Sequence, residues 1–344
     1  MTVTEDSKVT SNEAVGYRGK SWQLTDMIHQ APGFHALSDT LIELTEAGVP
    51  IVAGTADLKY SNGLVRYQER YPDRFIQFGI SEQNMVSAAA GLATTGLQPW
   101  VATFASFMSL LAAEQMRTDT AYTKLPVRMI GHHAGFMLGF YGTSHHATED
   151  LAITRSMANM TVLAPADPNQ LAALIRRSVD VAGPIYFRVA RGRDPEIYTI
   201  DEAADIEIGK AVVHSVGADI TLIATGTMVH PAKEAVVQLK SQGIDAGLVD
   251  MHTIKPLDVD AIEKVAGAST IIMTIEEHNV IGGLGSAVAE VLADGGSPAR
   301  LVRHGVQDEY VPVGPPTHLY RHLGLDADGI AAKALSSLQK GDVR

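Results

Sequence analysis

The sequence predicts an α/β protein with two doubly wound domains, each a mostly parallel sheet with helices on both faces. Three observations lead to this prediction. Short apolar runs alternate with longer helical patterns, which is typical of βαβ units. Hydrophobic residues make up 46% of the chain and charged residues 19%, which suits well-buried cores. The alternation restarts after an interruption, and 344 residues are enough for two domains.

The domain boundaries follow from where this alternation stops. We predict a flexible tail at residues 1–25, a first domain at 26–195, a linker at 196–210 and a second domain at 211–344. The tail is polar and aperiodic. A run of Gly, Arg, Asp and Pro that begins at Gly192 breaks the pattern ahead of the second domain.

The elements of the first domain are predicted from two kinds of pattern. Strands are short β-branched or aromatic runs bounded by Gly or Pro, and helices place apolar residues at helical spacing. In chain order the elements are helix 34–47, strand 50–53, strand 75–80, helix 82–95, strand 98–103, helix 106–122, strand 127–131, helix 150–157, strand 161–164, helix 168–181 and strand 185–189.

The second domain repeats the alternation. Its predicted elements are strand 220–225, helix 229–242, strand 246–250, helix 258–266, strand 270–274, helix 285–294, strand 299–303 and helix 327–339. Because strands and helices alternate here as well, a second mostly parallel sheet is expected.

The composition excludes several classes of protein. The formal net charge is −12, which argues against a nucleic-acid or anionic-membrane partner. The chain has no Cys, so disulfides, thiolate metal sites and cysteine nucleophiles are excluded. No apolar signal core or run of about 18 apolar residues is present, so a cytoplasmic location is expected.

Glu82 stands at the most informative junction of the sequence. The run Phe78-Gly-Ile-Ser-Glu-Gln-Asn-Met85 joins a predicted strand to a small-residue helix pattern, with Ser81 expected as the helix N-cap. A carboxylate in the first helical turn can simply complement the helix dipole. Its apolar surroundings instead favour a buried acid that exchanges a proton or hydrogen bond with a ligand.

Unusual residues concentrate in the loops that follow the predicted strands of the first domain. In parallel sheets, ligands bind outside the carboxyl ends of the strands. Phe104 and Phe107 follow one such strand and would share a face at a helix start. They form either a stacking platform for a heteroaromatic ring or ordinary core packing.

Residues 131–146 form a loop with four histidines and four glycines. A zinc site is disfavoured, because adjacent histidines tend to point apart and the loop offers neither Cys nor an acidic partner. Histidines that bind a polyol or shuttle protons fit better, although some can be structural. Farther on, Arg191 is a candidate for phosphate or carboxylate binding, whereas Arg193 is expected in a surface ion pair. The glycine-rich run 274–286 favours a tight turn or subunit contact over nucleotide binding.

Taken together, these motifs resemble the C-terminal two thirds of transketolase, over about residues 30–340. The set that carries the resemblance is Gly54-Thr-Ala-Asp57-Leu…Ser61-Asn62, Gly79-Ile-Ser-Glu82-Gln-Asn-Met, Thr103-Phe104-x-x-Phe107, Gly131-His-His133…Gly142-x-x-His145, Glu149-Asp150-Leu and Ala164-Pro-Ala-Asp167. It implies a thiamine-diphosphate pyrimidine-binding domain followed by a transketolase C-terminal-type α/β domain.

The resemblance also implies roles for individual residues. Glu82 would hydrogen-bond the N1′ nitrogen of the thiamine aminopyrimidine and so activate the cofactor to transfer a two-carbon ketol unit from a ketose to an aldose. The pyrimidine pocket would comprise Asp57, Leu58, Ile80, Phe104 and Phe107. The groups implied to meet the sugar or its phosphate are His133, His145, Ser61 and Arg191.

The chain departs from the family pattern at three positions. His35 replaces an arginine that helps to hold the substrate phosphate, and Tyr141 replaces an aspartate that recognises a donor hydroxyl. Leu110 replaces a third aromatic residue of the pyrimidine pocket. The first two changes argue against the usual phosphorylated pentoses, so we expect a modified, shorter or non-phosphorylated sugar at a site that includes His35 and Tyr141.

No part of the chain matches the upstream family domain, which binds the diphosphate through a Gly-Asp-Gly…Asn magnesium motif. The chain therefore resembles one subunit of a split transketolase. This implies a diphosphate-binding N-terminal-type partner subunit that holds Mg²⁺ or Ca²⁺, and a homodimeric core in an α2β2 heterotetramer.

Two alternatives remain. One is the β subunit of a 2-oxoacid or acetoin dehydrogenase E1 component, and the other is a noncatalytic scaffold or regulatory subunit. The histidine-rich loop and the Thr-Ala-Asp-Leu-x-x-Ser-Asn run favour transketolase over the first. Glu82 and the two pocket phenylalanines argue against the second.

Overall fold

The computed structural model describes residues 32–191 and 194–339. The predicted tail and Arg193 lie outside these ranges. Two mostly parallel sheets with helices packed around them confirm the predicted α/β class. Across the two described ranges, no helix is long and apolar enough to cross a membrane.

The described strands form two separate sheets. Their bounds are β1 Ile51–Thr55, β2 Phe75–Gln77, β3 Gln98–Phe104, β4 Arg128–His132, β5 Thr161–Leu163, β6 Ile185–Arg188, β7 Val212–Ser215, β8 Ile220–Ala224, β9 Ala246–Asp250, β10 Thr253–Lys255, β11 Ile271–Asn279 and β12 Arg300–Val306. The first sheet has the order β10-β5-β6-β4-β3-β1-β2, and the second has the order β12-β11-β8-β9-β7. Neighbouring strands are parallel except β10 with β5 and β7 with β9.

The helices cover both sheets and several carry side-chain caps. Their bounds are α1 Ala36–Glu46, α2 Val65–Arg70, α3 Glu82–Ala93, α4 Ala113–Gln115, α5 Asp150–Ser156, α6 Pro168–Arg177, α7 Ile200–Ala204, α8 Val229–Ser241, α9 Val259–Ala268, α10 Leu284–Asp294, α11 Pro316–His322 and α12 Ala327–Gln339. The Asp167 side chain accepts from the N–H of Gln170 at the start of α6, and Thr199 with Glu202 forms a capping box on α7. These caps satisfy backbone donors that have no partner within the helix.

The helix predicted at 106–122 is present but irregular. Helix α4 lies between two π-helical segments, Phe107–Leu111 and Met116–Ala121. In a π-helical turn each hydrogen bond spans five residues instead of four, so the turn holds one more residue than an α-helical turn. The sequence pattern therefore predicted the helix but not its distortion, which begins at one of the candidate pocket residues.

Some elements were missed or predicted too short. Strand β11 runs to Asn279, whereas the prediction ended it at residue 274, where the apolar run stops. Strands β7 and β10 and helices α2, α7 and α11 were not predicted. Short elements such as these are stabilised by tertiary contacts rather than by a long local pattern. Helix α7 lies inside the segment predicted as a linker, so that segment is partly helical. The predicted domain limits themselves remain a prediction.

The topology of the first sheet marks the carboxyl ends of its strands as the candidate ligand crevice. From β1 the chain moves to β2 on one side and then to β3 on the other, so the strand order reverses between β1 and β3. Ligands of open α/β sheets bind at such a point. The loops after β1, β2, β3 and β4 all open on this edge, because these strands are parallel.

The two halves of the chain are packed against each other. One buried apolar cluster includes Trp100 and Phe187 from the first half and Leu222 and Leu248 from the second. In addition, β10 belongs to the second half of the sequence but pairs with β5 in the first sheet. The second half can therefore contribute support to loops of the first.

Candidate active site

Glu82 begins helix α3, after a turn in which Gly79 has a φ of 71°. Its side chain is only 5% exposed. The Thr103 hydroxyl, on β3, donates a 3.2 Å hydrogen bond to its Oε1 atom, the only side-chain hydrogen bond of this carboxylate among residues 32–191 and 194–339. The carboxylate is therefore oriented by the sheet and keeps lone pairs for a ligand.

Ser81 is the N-cap residue of α3, as predicted, but its side chain makes no hydrogen bond to the helix. Its hydroxyl donates instead to the carbonyl of Phe78, at 2.8 Å. This hydrogen bond stabilises the turn ahead of Glu82 rather than the helix terminus. The first-turn amides of α3 and the Glu82 carboxylate thus lie together near the point where the strand order reverses.

A group of rings lies at the ends of β3 and β4, on the same edge. The centroid of the Phe104 ring is 5.6 Å from that of Phe107, 4.9 Å from that of His133 and 5.9 Å from that of His145. Phe107 is also 5.1 Å from His145. The predicted phenylalanines and histidines are therefore brought together, which favours the stacking-platform interpretation over isolated core packing.

The loop after β1 carries three further predicted residues. Asp57 is exposed, adopts the left-handed region with a φ of 59°, and donates its backbone N–H to the Gln77 side chain at 2.7 Å. This bond ties the loop to the end of β2. Leu58 and Ser61 are half-buried, whereas the apolar side chain of Ile80 is 85% exposed. An apolar side chain exposed beside a crevice is typical of a surface that another molecule covers.

The histidine-rich loop is closed at its base and open at its tip. Gly135 and Ala147 exchange two backbone hydrogen bonds, of 3.1 and 2.7 Å. Tyr141 lies near the tip, is 50% exposed, and has its ring 4.9 Å from His145. Burial lowers the pKa of His145, so this ring is neutral near pH 7.

The expectation that the adjacent histidines point apart is wrong for the first pair. His133 has a φ of 57°, so the chain leaves the extended conformation directly after β4. The Nδ1 atoms of His132 and His133 lie 2.8 Å apart as a result. His132 was not among the predicted site residues, and its neighbour's positive φ gave no signal in the sequence.

Arg191 and His35 are both connected to His132. Arg191 is 6% exposed and follows β6. Burial, together with the charge of Arg191, lowers the pKa of His132 to about 3. His35 ends the 3₁₀ turn before α1, and its ring is 5.3 Å from Phe34, which is 6.4 Å from His132. Of the candidate phosphate-binding residues, Arg191 thus acts on His132 directly, and His35 is linked to it through the Phe34 ring.

The second half of the chain supports the histidine-rich loop through Glu277. This carboxylate is 1% exposed and accepts the Phe136 N–H and the Thr227 hydroxyl, both at 2.8 Å. Burial raises the pKa of Glu277, and the nearby Arg188 opposes that shift. Run 274–286, predicted as a tight turn or a subunit contact, thus turns at Gly282, which has a φ of 83°, and makes a contact between the two halves of one chain.

Three further contacts fix the loop to the second half. A Cβ atom on Gly135, whose φ is 63°, would lie 2.0 Å from the carboxyl carbon of Glu277, so only glycine fits there. Nearer the tip, the Tyr320 ring lies 4.6 Å from Phe136 and the Gly314 N–H donates to Gly139 at 3.0 Å. The loop that presents His133, Tyr141 and His145 is thus held from both halves.

A buried ion pair stabilises the other end of the loop. The Arg188 guanidinium donates to both oxygens of Asp150 at 3.1 Å and to the carbonyls of Ala147 and Glu277 at 3.2 and 2.7 Å. The Tyr186 hydroxyl donates to Asp150 at 2.8 Å. Both charges are therefore extensively hydrogen-bonded, which a buried ion pair requires.

Comparison with known proteins identifies the family. The sequence profile of the transketolase pyrimidine-binding domain matches residues 32–195, and that of the transketolase C-terminal domain matches residues 209–330. The chain is 37% identical over 305 residues to one subunit of the apulose-4-phosphate transketolase of Phocaeicola vulgatus, covering 89% of this chain and 97% of that protein. The chain belongs to the transketolase family.

Further relatives of this transketolase-family chain agree. It is 36% identical over 306 residues to one subunit of the 6-deoxy-6-sulfo-D-fructose transketolase of Clostridium sp., covering 89% of this chain and 94% of that one. A solved structure described as a split-gene transketolase, an inactive β4 tetramer, superposes with a TM-score of 0.82 at 37% identity, covering 89% and 98% of the two chains. The predicted enzyme class is confirmed: the chain is a transketolase-type subunit of a split transferase.

The residues at the crevice fit the pyrimidine part of thiamine diphosphate, the cofactor of this family. A buried carboxylate with acceptor capacity lies at the crevice, and aromatic rings lie on the same edge. An aminopyrimidine needs both a hydrogen-bonding partner for its ring nitrogen and an apolar surface for its face. Within the described ranges, no group of three or more His, Asp or Glu side chains is arranged to hold a metal ion.

Proposed function

We propose that this chain is the cofactor-activating subunit of a two-chain transketolase. In this proposal Glu82 hydrogen-bonds the pyrimidine nitrogen, and a diphosphate-binding N-terminal-type partner supplies the diphosphate contacts and Mg²⁺ or Ca²⁺. The observation that carries the proposal is the buried Glu82 carboxylate at the strand-order reversal, oriented by Thr103 yet open to one more donor. Thiamine diphosphate, when bound, supplies the carbanion chemistry that a two-carbon ketol transfer needs.

Other residues of the chain enclose the pyrimidine or bind the sugar. Phe104 and Phe107, with Leu58, Ile80 and Asp57, surround the pyrimidine and exclude water from Glu82. His133 and His145 accept or donate hydrogen bonds to the hydroxyl groups of the sugar and hold protons during the transfer. The end of the sugar away from the cofactor is placed near Ser61, Arg191, His35 and Tyr141.

The proposed assembly is an α2β2 heterotetramer with a homodimeric core. Large apolar side chains are exposed around the crevice edge: Tyr60 is 60% exposed, Ile80 85%, Leu110 51% and Leu111 52%. These positions would be covered by neighbouring subunits. The inactive β4 assembly of the related solved structure also supports a need for a second kind of subunit. A cytoplasmic location remains a prediction.

The proposed activity predicts which donor the reconstituted enzyme uses. The chain, combined with its diphosphate-binding partner, thiamine diphosphate and Mg²⁺, should transfer a two-carbon unit from a ketose to an aldose, measured by chromatography of the sugar products. Pyruvate with a lipoyl acceptor should give no product. Turnover of pyruvate in place of ketoses would support a 2-oxoacid or acetoin dehydrogenase and contradict the proposal.

We further propose that the preferred sugar is not a standard phosphorylated pentose. His35 and Tyr141 stand at the two positions that depart from the family pattern, and Tyr141 is half-exposed near the loop tip. The two relatives named above are transketolases for apulose 4-phosphate and for a sulfonated fructose. Members of this group thus act on unusual sugars.

Comparing donor sugars tests this preference. We expect kcat/KM for xylulose 5-phosphate to be at least about tenfold lower than for the best modified, shorter or non-phosphorylated ketose, because a lost charged hydrogen bond costs about 1.5–3 kcal/mol. Steady-state kinetics with a panel of ketoses and one common aldose acceptor would measure it. A clear preference for xylulose 5-phosphate would contradict the expectation.

A further inference from the structure

We propose that His132 is a positioning residue that fixes the neutral tautomer of His133, with the ring proton on Nδ1 and with Nε2 as the acceptor nitrogen. The consequence for sugar binding rests on the function proposed above, whereas the tautomer itself does not. The inference comes from the geometry at the end of β4, where the two rings meet.

The first step assigns the proton of His132. Its Nδ1 atom lies 3.1 Å from the backbone nitrogen of His133, in hydrogen-bonding geometry. A backbone N–H can only donate, so the Nδ1 atom of His132 must accept and cannot carry a proton. The neutral ring of His132 therefore carries its proton on Nε2.

The second step assigns the proton of His133. The two Nδ1 atoms are 2.8 Å apart, which is hydrogen-bonding distance. Since the His132 atom carries no proton, only the His133 atom can supply the proton of this contact, and the lone pair of His132 Nδ1 is shared between the two donors of His133. The assignment holds as long as His132 stays neutral, and its burial at 3% exposure beside Arg191 keeps it so near pH 7.

The third step concerns what His133 can then do. In its neutral form the other ring nitrogen, Nε2, has a lone pair and no proton, so it can accept a hydrogen bond or take up a proton but cannot donate one. The ring is held by the left-handed backbone of His133 and by Phe104, 4.9 Å away. Toward a sugar hydroxyl, the neutral ring of His133 is thus restricted to accepting at Nε2.

His145 provides a contrast within the same site. Its Nδ1 atom lies 2.9 Å from the hydroxyl of Ser144, which can donate or accept. Neither tautomer of His145 is therefore imposed by that contact. The two sugar-facing histidines are not equivalent, and His133 is the one with a fixed role as acceptor.

The first part of the experiment measures the tautomer directly. The whole chain, labelled with ¹⁵N-histidine, is studied by long-range ¹H–¹⁵N correlation spectroscopy near pH 7, and the His133 signals are assigned by their loss in His133→Asn. We expect a protonated Nδ1 and a bare Nε2 for His133. A protonated Nε2 with a bare Nδ1 would overturn the proposal, whatever the activity of the enzyme.

The second part compares two variants of His132 in the reconstituted complex. His132→Asn places an amide oxygen near the former Nδ1 position and keeps an acceptor, whereas His132→Leu removes it. We expect His132→Leu to lose the Nδ1–H preference of His133 and at least about tenfold in kcat/KM for the ketose, since a base held in the wrong tautomer loses up to about 10⁴-fold elsewhere. His132→Asn should keep the tautomer and stay within about threefold of the parent.

Thiamine diphosphate binding separates this role from a general loss of structure. Its dissociation constant should change less than about twofold in both variants, because the pyrimidine contacts are made by other residues. Retention of the tautomer and of full turnover in His132→Leu would overturn the proposal. If His132→Leu fails to fold, the spectrum of the parent chain still decides the question, and a complex inactive on sugars would count against the proposed function alone.

Discussion

Replacing Glu82 with Gln is expected to lower kcat of the reconstituted enzyme by about 10³-fold, within the range for losing a group that manages a proton in the transition state. The amide has the same size and can still accept from the Thr103 hydroxyl, which donates to Oε1 at 3.2 Å in the parent chain. It cannot share a proton with the pyrimidine nitrogen as a carboxyl group does. Steady-state assays of ketol transfer would measure this loss of kcat.

A matched control for this substitution is Glu69→Gln, at an exposed position on α2. It changes the net charge by the same amount, and we expect activity within about twofold of the parent, as is usual for surface positions. Both variants should keep the parental melting temperature. Full activity of Glu82→Gln would remove Glu82 from the mechanism and would revive a scaffolding role for the chain.

Replacing Glu277 with Ala is expected to lower the free energy of unfolding by about 3 kcal/mol and to raise KM for the ketose by at least about tenfold. The substitution leaves the Phe136 N–H and the Thr227 hydroxyl without their buried acceptor. The histidine-rich loop would then lose its main contact with the second half. Denaturant unfolding and steady-state kinetics on the complex would measure the two effects.

Glu277→Gln is the informative comparison, because the amide oxygen can still accept from the Phe136 N–H and Thr227 can rotate to accept from the new amide. We expect the KM of Glu277→Gln for the ketose to be close to that of the parent enzyme. Thiamine diphosphate binding should hardly change in either variant. If both variants instead lost affinity for thiamine diphosphate while their KM for the ketose stayed constant, Glu277 would support the pyrimidine pocket and not the loop.

The sequence was most informative where local pattern and topology agree. The strand-to-helix junction at Glu82 and the aromatic pair Phe104 and Phe107 could be placed at one edge, because parallel strands bring their carboxyl ends together. The structure places all three there. The roles of the site residues came from the resemblance and remain proposals.

Other features depend on contacts that no local pattern reveals. The support of the loop by Glu277 joins positions 141 residues apart in the chain. The approach of His133 to His132 depends on a positive φ, which a non-glycine residue adopts only where tertiary contacts stabilise it. Strand β10 is three residues long, and it is a strand only because it pairs with β5. Each is decided by tertiary structure.

The pairing of β10 with β5 has a consequence for cooperativity. An uncovered edge strand offers its backbone groups to other chains and promotes self-association. Here Thr253 pairs with Leu163, and the N–H of Ala164 donates to the carbonyl of His252 at 2.7 Å, so the second half of the chain closes that edge of the first sheet. A fragment that stops at residue 195 would expose β5. The two halves should therefore melt in a single transition, and a separate first half should self-associate through that edge.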